Sequence, residues 1–200
     1  RWEAFVAEAR PEPRVVLVGA GLGGVELALA MRHRLQASGA KPDITLLDRQ
    51  PHALPHIGTA ARRRLLHELH VAGIRLLTDA APTRFAPGAV VLQDGREIAS
   101  DLTVAVAGAQ PQGWLVGSGL AVKEGFIRVG TTLQTNDPLI FAAGDCSHMD
   151  HAPRPKAGVY AVRAAPVLFH NLRAALTGQP FRAYRPQRDY LKLVSLGDRR

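Results

Sequence analysis

The stretch Arg14–Ala30, RVVLVGAGLGGVELALA, places Gly19, Gly21 and Gly24 in a G-x-G-x-x-G spacing between an aliphatic run and a helix-forming segment. That spacing suits anion binding by main chain. Gly19 permits a tight turn, Gly21 lets backbone approach a pyrophosphate, and Gly24 lets the helix pack closely on the strand. Leu22 and Gly23 complete the turn, where unpaired N–H groups and the positive end of the helix dipole face the phosphates. Asp48 follows twenty-four residues after Gly24. A carboxylate there can accept hydrogen bonds from an adenosine ribose and repels a 2′-phosphate; the alternative is an acidic residue that opens a loop. Arg49 is next and could accommodate a phosphate, so the residues favour NADH over NADPH as a preference only.

This chemistry requires a strand, a turn, a helix and a second parallel strand. Val15–Val18 is a continuous aliphatic run, as in a strand covered on both faces. Val25, Ala28, Leu29 and Leu35 then recur at helical spacing until Ser38-Gly39, and Ile44–Leu47 reads as the second strand, ending at Asp48. Trp2–Ala9 reads as a short helix closed by Pro11 and Pro13, Ile57–Ala72 as a helix closed by Gly73, and Ile74–Thr78 as a third parallel strand. Pro82–Phe85, Ala89–Gln93 and Arg96–Ala99 read as an antiparallel meander, the last two joined at Asp94-Gly95. Leu102–Ala107 returns as a buried run. Further strands are expected at Phe126–Val129, Leu139–Ala142 and Tyr190–Leu196. A helix is expected over Gly158–Leu176, kinked or split at Pro166.

The chain has 200 residues, 46% of them apolar, enough to bury a core. No apolar run is long enough to span a bilayer, and the charged start lacks the apolar core of a secretory signal. Cys146 is the single cysteine, so neither an internal disulfide nor a two-cysteine redox centre can form within the chain, and the cytoplasm is the expected location. Residues 1–150 carry fifteen basic and fifteen acidic side chains, whereas residues 151–200 carry ten basic against Asp189 and Asp198. This basic segment lacks a nucleic-acid module, so no nucleic-acid partner is expected; the favoured reading is that the acidic complement lies in another part of the protein, with peripheral contact to an anionic membrane face as the alternative. His67 and His70 read as a surface pair, and Cys146, His148, Asp150 and His151 are spaced like metal ligands, but no metal is expected. The chain opens on Arg1 and stops in LKLVSLGDRR, which reads as a piece of a longer chain.

Three patterns occur in order: GAGLGGVELA over Gly19–Ala28, LTVAVAGAQP over Leu102–Pro111, and TNDPLIFAAGDC over Thr135–Cys146, which fits T-x6-A-x-G-D. Together they resemble the FAD-dependent pyridine nucleotide-disulfide oxidoreductases, above all type II NADH dehydrogenases. The resemblance implies an α/β fold: a Rossmann-like parallel sheet with an antiparallel meander, followed by part of a second, FAD-binding domain. It implies an NADH-binding domain over residues 12–113 and an incomplete returning segment of the FAD domain over 114–200, the rest of the parent chain being a partner. The implied activity is hydride transfer from NADH to FAD and electron transfer to a small-molecule acceptor such as a quinone.

By the same resemblance, Asp145 matches the aspartate that accepts a hydrogen bond from the ribityl chain of FAD, and Gly144 admits the cofactor's approach. Glu26 matches a glutamate near the nicotinamide, or is an exposed carboxylate that favours the helix dipole. Pro155-Lys156-Ala157-Gly158 matches a turn before a helix whose N-terminus faces the flavin, where Lys156 and Ala157 would sit beside the ring and stabilise negative charge on it. Gly108 closes the second pattern, although Ala107 replaces its usual threonine and puts packing at that junction in doubt. No residue is expected to act as a general acid or base in the hydride step, so no catalytic residue is named. The segments Pro153–Leu176 and Tyr184–Gly197 also resemble flavoprotein modules fused to selenophosphate synthase. A nucleotide-binding module without redox activity is the other alternative.

Overall fold

Five successive residues with aliphatic or extended preference, RVVLV, form strand β1 (Arg14–Val18), and every residue after Arg14 is buried. A computed structural model describes residues 1–198. The chain folds into two compact units, Arg1–Gly108 with the segment from Leu193 onward, and Ala109–Lys192.

In the first unit, β1 is an inner strand of a parallel sheet that also holds β2 (Asp43–Leu47), β3 (Arg75–Leu77) and β7 (Leu102–Ala105), in the order β3-β2-β1-β7. Alternation along β1 separates two cores. Val15 and Leu17 pack with helices α1 (Trp2–Ala7), α2 (Leu22–Ala37) and α3 (Thr59–Val71) through Phe5, Val25, Ala28, Leu65 and Leu69. Val16 and Val18 pack on the other face with Leu47, Ala80, Val90 and Leu92. Those last two belong to an antiparallel meander, β4 (Pro82–Ala86), β5 (Ala89–Leu92) and β6 (Glu97–Ala99). Each fully buried aliphatic side chain contributes about 1.5–3 kcal/mol, so one strand supplies both layers. Asp94-Gly95 turns the hairpin as expected: Gly95 takes φ of 85°, and Asp94 accepts the Arg96 amide at 3.0 Å.

Asp101 joins the N-terminal ends of β1 and β7. Its carboxylate accepts the Arg14 amide at 2.8 Å and the Arg14 guanidinium at 2.6 and 3.1 Å, with Arg10 at 3.3 Å. The Arg14 hydrogen bonds hold the Asp101 carboxyl down at about 2. A value depressed below the unfolded ~3.9 stabilises the fold above that pH, and the contribution is lost as pH falls through about 2. Asp101→Asn is therefore expected to cost about 1 kcal/mol at pH 7, discounted because the Arg14 side chain is half exposed. Urea midpoints at pH 7 and at low pH check this: the gap from the unmodified chain should shrink on acidification, and an equal gap at both would exclude the ion pair as its source.

The second unit holds a three-stranded sheet of β8 (Val122–Lys123), β9 (Phe126–Val129) and β10 (Ser147–Met149), in the order β10-β9-β8. Helix α4 runs unbroken over Gly158–Thr177 and is not split at Pro166. Pro166 lies on the exposed face, where the carbonyl it leaves without an amide partner can be hydrated. Leu139–Ala142 does not form a strand. Pro138 lies within a tight turn closed by Ile140 N–H to Asp137 O at 3.1 Å, leaving only a bridge between Gln134 and Phe141. Tyr190–Leu196 does not form a strand either and joins no ladder.

Candidate functional site

The glycine loop lies at the carboxyl end of β1, and each glycine meets a different constraint. Gly19 has φ of 110° and donates to the Leu47 carbonyl at 2.7 Å. A Cβ on it would lie 2.7 Å from the Val106 carbonyl oxygen and 2.9 Å from the Ala107 Cα. The close junction at Ala107 is thus a main-chain contact, which the usual threonine is not needed to make. A Cβ on Gly24 would stand 1.8 Å from the Gly19 carbonyl oxygen, so only glycine lets α2 pack this closely on the loop. Gly21 and Gly23 differ: nothing lies within 4 Å of where their side chains would project. Gly21 caps α2 in an extended conformation without a side-chain cap hydrogen bond. The first-turn amides of α2, which no side chain caps, thus begin beside the open surface at Gly21 and Gly23, an arrangement that suits an anion.

Asp48 does more than the sequence suggests. Its Oδ2 accepts the Ala20 amide at 2.7 Å and its Oδ1 accepts the Gln50 amide at 2.9 Å, so it ties the end of β2 to the glycine loop. Each carboxylate oxygen retains further acceptor capacity for a ligand hydroxyl. The Ala20 carbonyl accepts the Leu54 amide at 3.1 Å, a second tie that the spacing does not signal. Arg49 is exposed beside Asp48, and Gly108, φ 92°, is exposed just beyond β7. Glu26 lies in the second turn of α2, where its Oε1 accepts the Ser195 amide at 3.1 Å.

In the second unit, Gly144-Asp145-Cys146 forms a single 3₁₀ turn. Gly144 has φ of 75°, and a Cβ there would come within 3.3 Å of the Ala161 methyl. Asp145 is exposed. Ala143, Gly144, Asp145, Lys156, Ala157 and Tyr160 line a small cavity at the start of α4, which begins after Ala157 without a side-chain cap. Lys156 donates to the Ser147 carbonyl and stands 4.0 Å from the centre of the Phe126 ring. Burial pushes its pKa down, while Asp145, Cys146 and Glu124 oppose that shift. A small anionic or electron-rich group in this cavity would meet one cation and the positive end of a twenty-residue helix. Thr135, the first residue of the third pattern, serves the local backbone: its hydroxyl accepts the Asp137 amide at 3.0 Å. Neither Phe126 nor Tyr160 was expected at this site; the approach of Phe126 to Lys156 depends on the long-range register of β9 and β10, which spacing does not encode.

The sequence profile of the pyridine nucleotide-disulphide oxidoreductases matches residues 3–165. The chain belongs to this family. Members similar to it include the nitric oxide reductase FlRd-NAD(+) reductase of Aeromonas hydrophila subsp. hydrophila, 38% identical over 151 residues, covering 72% of this chain and 36% of that protein. The putidaredoxin reductase CamA of Pseudomonas putida is 31% identical over 143 residues, covering 67% of this chain and 32% of that one. An FAD-dependent pyridine nucleotide-disulphide oxidoreductase from Desulfovibrio vulgaris matches in structure with a TM-score of 0.66 at 26% identity, over 85% of this chain and 45% of that one. The chain thus spans about a third of the length of these curated relatives. The family and the Rossmann-like α/β fold expected from the three patterns are both borne out. No helix among the described residues is long and apolar enough to cross a membrane.

Proposed function

We propose that this chain carries the NADH-binding domain, about residues 12–113, and the returning part of the FAD-binding domain, about 114–200, of an NADH-dependent flavin oxidoreductase. The observation that carries the reading is the N-terminus of α2, where Gly24 packs against Gly19 and the uncapped first turn begins beside the open space at Gly21 and Gly23. In this reading the amides of that turn bind the pyrophosphate of NADH, Asp48 accepts from its adenosine ribose with Arg49 beside it, and Gly108 leaves room at the end of β7. Glu26 serves the nicotinamide end. Asp145 and Gly144 receive the ribityl chain of FAD, and Lys156 with the α4 terminus at Ala157 faces the flavin.

FAD, when bound, supplies the two-electron chemistry that accepts hydride and releases electrons singly or in pairs. The chain's own contribution is binding and local charge. Its glycine loop orients the donor, its Asp48 selects against a 2′-phosphate, and its Lys156 places a positive charge by the acceptor. A protein electron acceptor is favoured over a quinone, because putidaredoxin reductase is named for a protein substrate and is 31% identical to this chain.

Asp48→Ala tests the reading through a ratio. Loosening the glycine loop would weaken both nucleotides alike, whereas loss of a ribose acceptor weakens NADH selectively. Fluorescence titrations of the chain with NADH and NADPH are expected to show NADH affinity falling about tenfold and the preference for NADH shrinking, the loss matching one or two hydrogen bonds to a charged acceptor. An unchanged ratio would remove Asp48 from the ribose.

A further inference from the structure

Phe126 opens β9 directly after a turn through Glu124 and Gly125, both left-handed with φ of 54° and 81°. That is the type I′ geometry whose twist suits a two-residue hairpin, and it pairs Lys123 with Phe126. A Cβ on Gly125 would lie 2.7 Å from the Pro111 ring, so the turn is packed on that side. The parallel neighbour of β9 is β10, which places Ser147 opposite Ile127, one residue from Phe126. An aromatic face and a backbone carbonyl are thereby presented from adjacent strands, and the Lys156 ammonium meets both.

We propose that Phe126 is a positioning residue for Lys156: its ring face, together with the Ser147 carbonyl, holds the ammonium in place and charged beside the Gly144–Asp145 turn. Its functional meaning rests on the assignment of Lys156 to the flavin side of the site. The contact itself rests on geometry alone.

Removing an ammonium from water disfavours its charge, and a ring face or a carbonyl returns part of what is lost. Asp145, Glu124 and Cys146 act in the same sense from the flanking turns. Of the other polar groups lining the cavity, Arg154 donates to the carbonyls of Pro153, Pro186 and Gln187, Tyr184 to the Tyr160 carbonyl and the Ser147 hydroxyl to the Gly144 carbonyl, while His148 Nε2 makes no hydrogen bond and stands 3.6 Å from Asp150. Phe126 is therefore the side chain whose replacement changes the stabilisation of the Lys156 charge without removing a formal charge from the cavity.

The chain has four lysines, Lys41, Lys123, Lys156 and Lys192, so reductive methylation with 13C-formaldehyde gives a small set of NMR signals, with Lys156→Arg assigning the one in question. The Lys156 signal is expected to titrate below the other three. Phe126→Leu keeps apolar bulk and removes the ring quadrupole, so the Lys156 midpoint should fall further, by about half a pH unit or more, while Phe126→Tyr should hold it near its original value. A rise toward the ordinary lysine range would show that the ring merely excluded water, and an unmoved midpoint would show that it does not touch the charge; either overturns the proposal. Pentafluorophenylalanine at position 126 keeps the ring's shape and reverses its quadrupole, so it must lower the midpoint even if the leucine variant fails to fold. Adding FAD to the labelled chain without substitutions probes the underlying assignment separately. A Lys156 signal that ignores FAD would take Lys156 away from the flavin and leave its contact with Phe126 standing.

Discussion

Gly24→Ala is expected to abolish nucleotide binding and to destabilise the first unit by about 3 kcal/mol or more. The added methyl carbon would lie 1.8 Å from the Gly19 carbonyl oxygen, and both partners are backbone, so no side chain can rotate away. Relief requires α2 to move off β1 by more than an ångström. That movement would open the core around Val25 and Ala28, both fully buried, in an interior packed as densely as an organic crystal. Gly23→Ala is the informative contrast. Nothing lies within 4 Å of its added methyl, and alanine is the better helix former by about 0.8–1 kcal/mol, so stability should be kept or raised while the methyl intrudes on the phosphate approach. Urea denaturation and NADH fluorescence on both variants separate packing from ligand access. A Gly24→Ala chain with an unchanged midpoint would refute the close packing described for α2.

The second large effect is expected at Asn171. It is fully buried, and its amide makes three hydrogen bonds of 2.8 Å: Nδ2 donates to the carbonyls of Thr132 and Arg182, and Oδ1 accepts the Arg182 amide. The neighbouring Tyr184 amide donates to Thr131 at 2.8 Å, and the Tyr184 hydroxyl donates to the Tyr160 carbonyl at 3.1 Å. One amide thus fastens the extended chain after α4 to the loop after β9. Asn171→Leu keeps the branched shape and leaves three part-buried backbone groups without their partners, each costing about 1–3 kcal/mol when unpaired. A loss of about 3–5 kcal/mol is expected after partial relaxation. Amide exchange should show Arg182 and Tyr184 losing protection together. If protection at those amides persisted in the leucine variant, the fastening role would be wrong.

How much of this was legible in the sequence depended on how local each signal is. β1, the glycine turn, α2 and β2 follow from adjacent residues whose periodicity and backbone needs agree, and Asp94-Gly95 marked its hairpin for the same reason. Asn171 carried no such mark, because its three partner groups are backbone atoms, two on Arg182 past the end of α4 and one on the distant Thr132, and backbone partners leave no trace in residue type. Ser147–Met149 was missed as a strand, since SHM has little extended preference and is drawn into the sheet by pairing with β9. The opposite error occurred at Leu139–Ala142 and Tyr190–Leu196, where apolar runs found no ladder partner. At the candidate site, residue types pointed to Gly19, Gly24 and Asp145. The tie between Asp48 and Ala20 shows that carboxylate serving the loop, and spacing alone does not distinguish this use from the proposed acceptance of a ribose hydroxyl.

The back wall of the glycine loop is the main chain at Val106 and Ala107, just beyond β7. Strand β7 joins β1 only after the chain has passed through α2, β2, α3, β3 and the whole meander. Such distant pairings form slowly, because the loop-closure entropy must be met before the contacts reward it. The glycine turn after β1 therefore acquires its final conformation late in the order of assembly. A ribosome that has released only residues up to the meander holds all three glycines but not yet the surface that gives them their conformation.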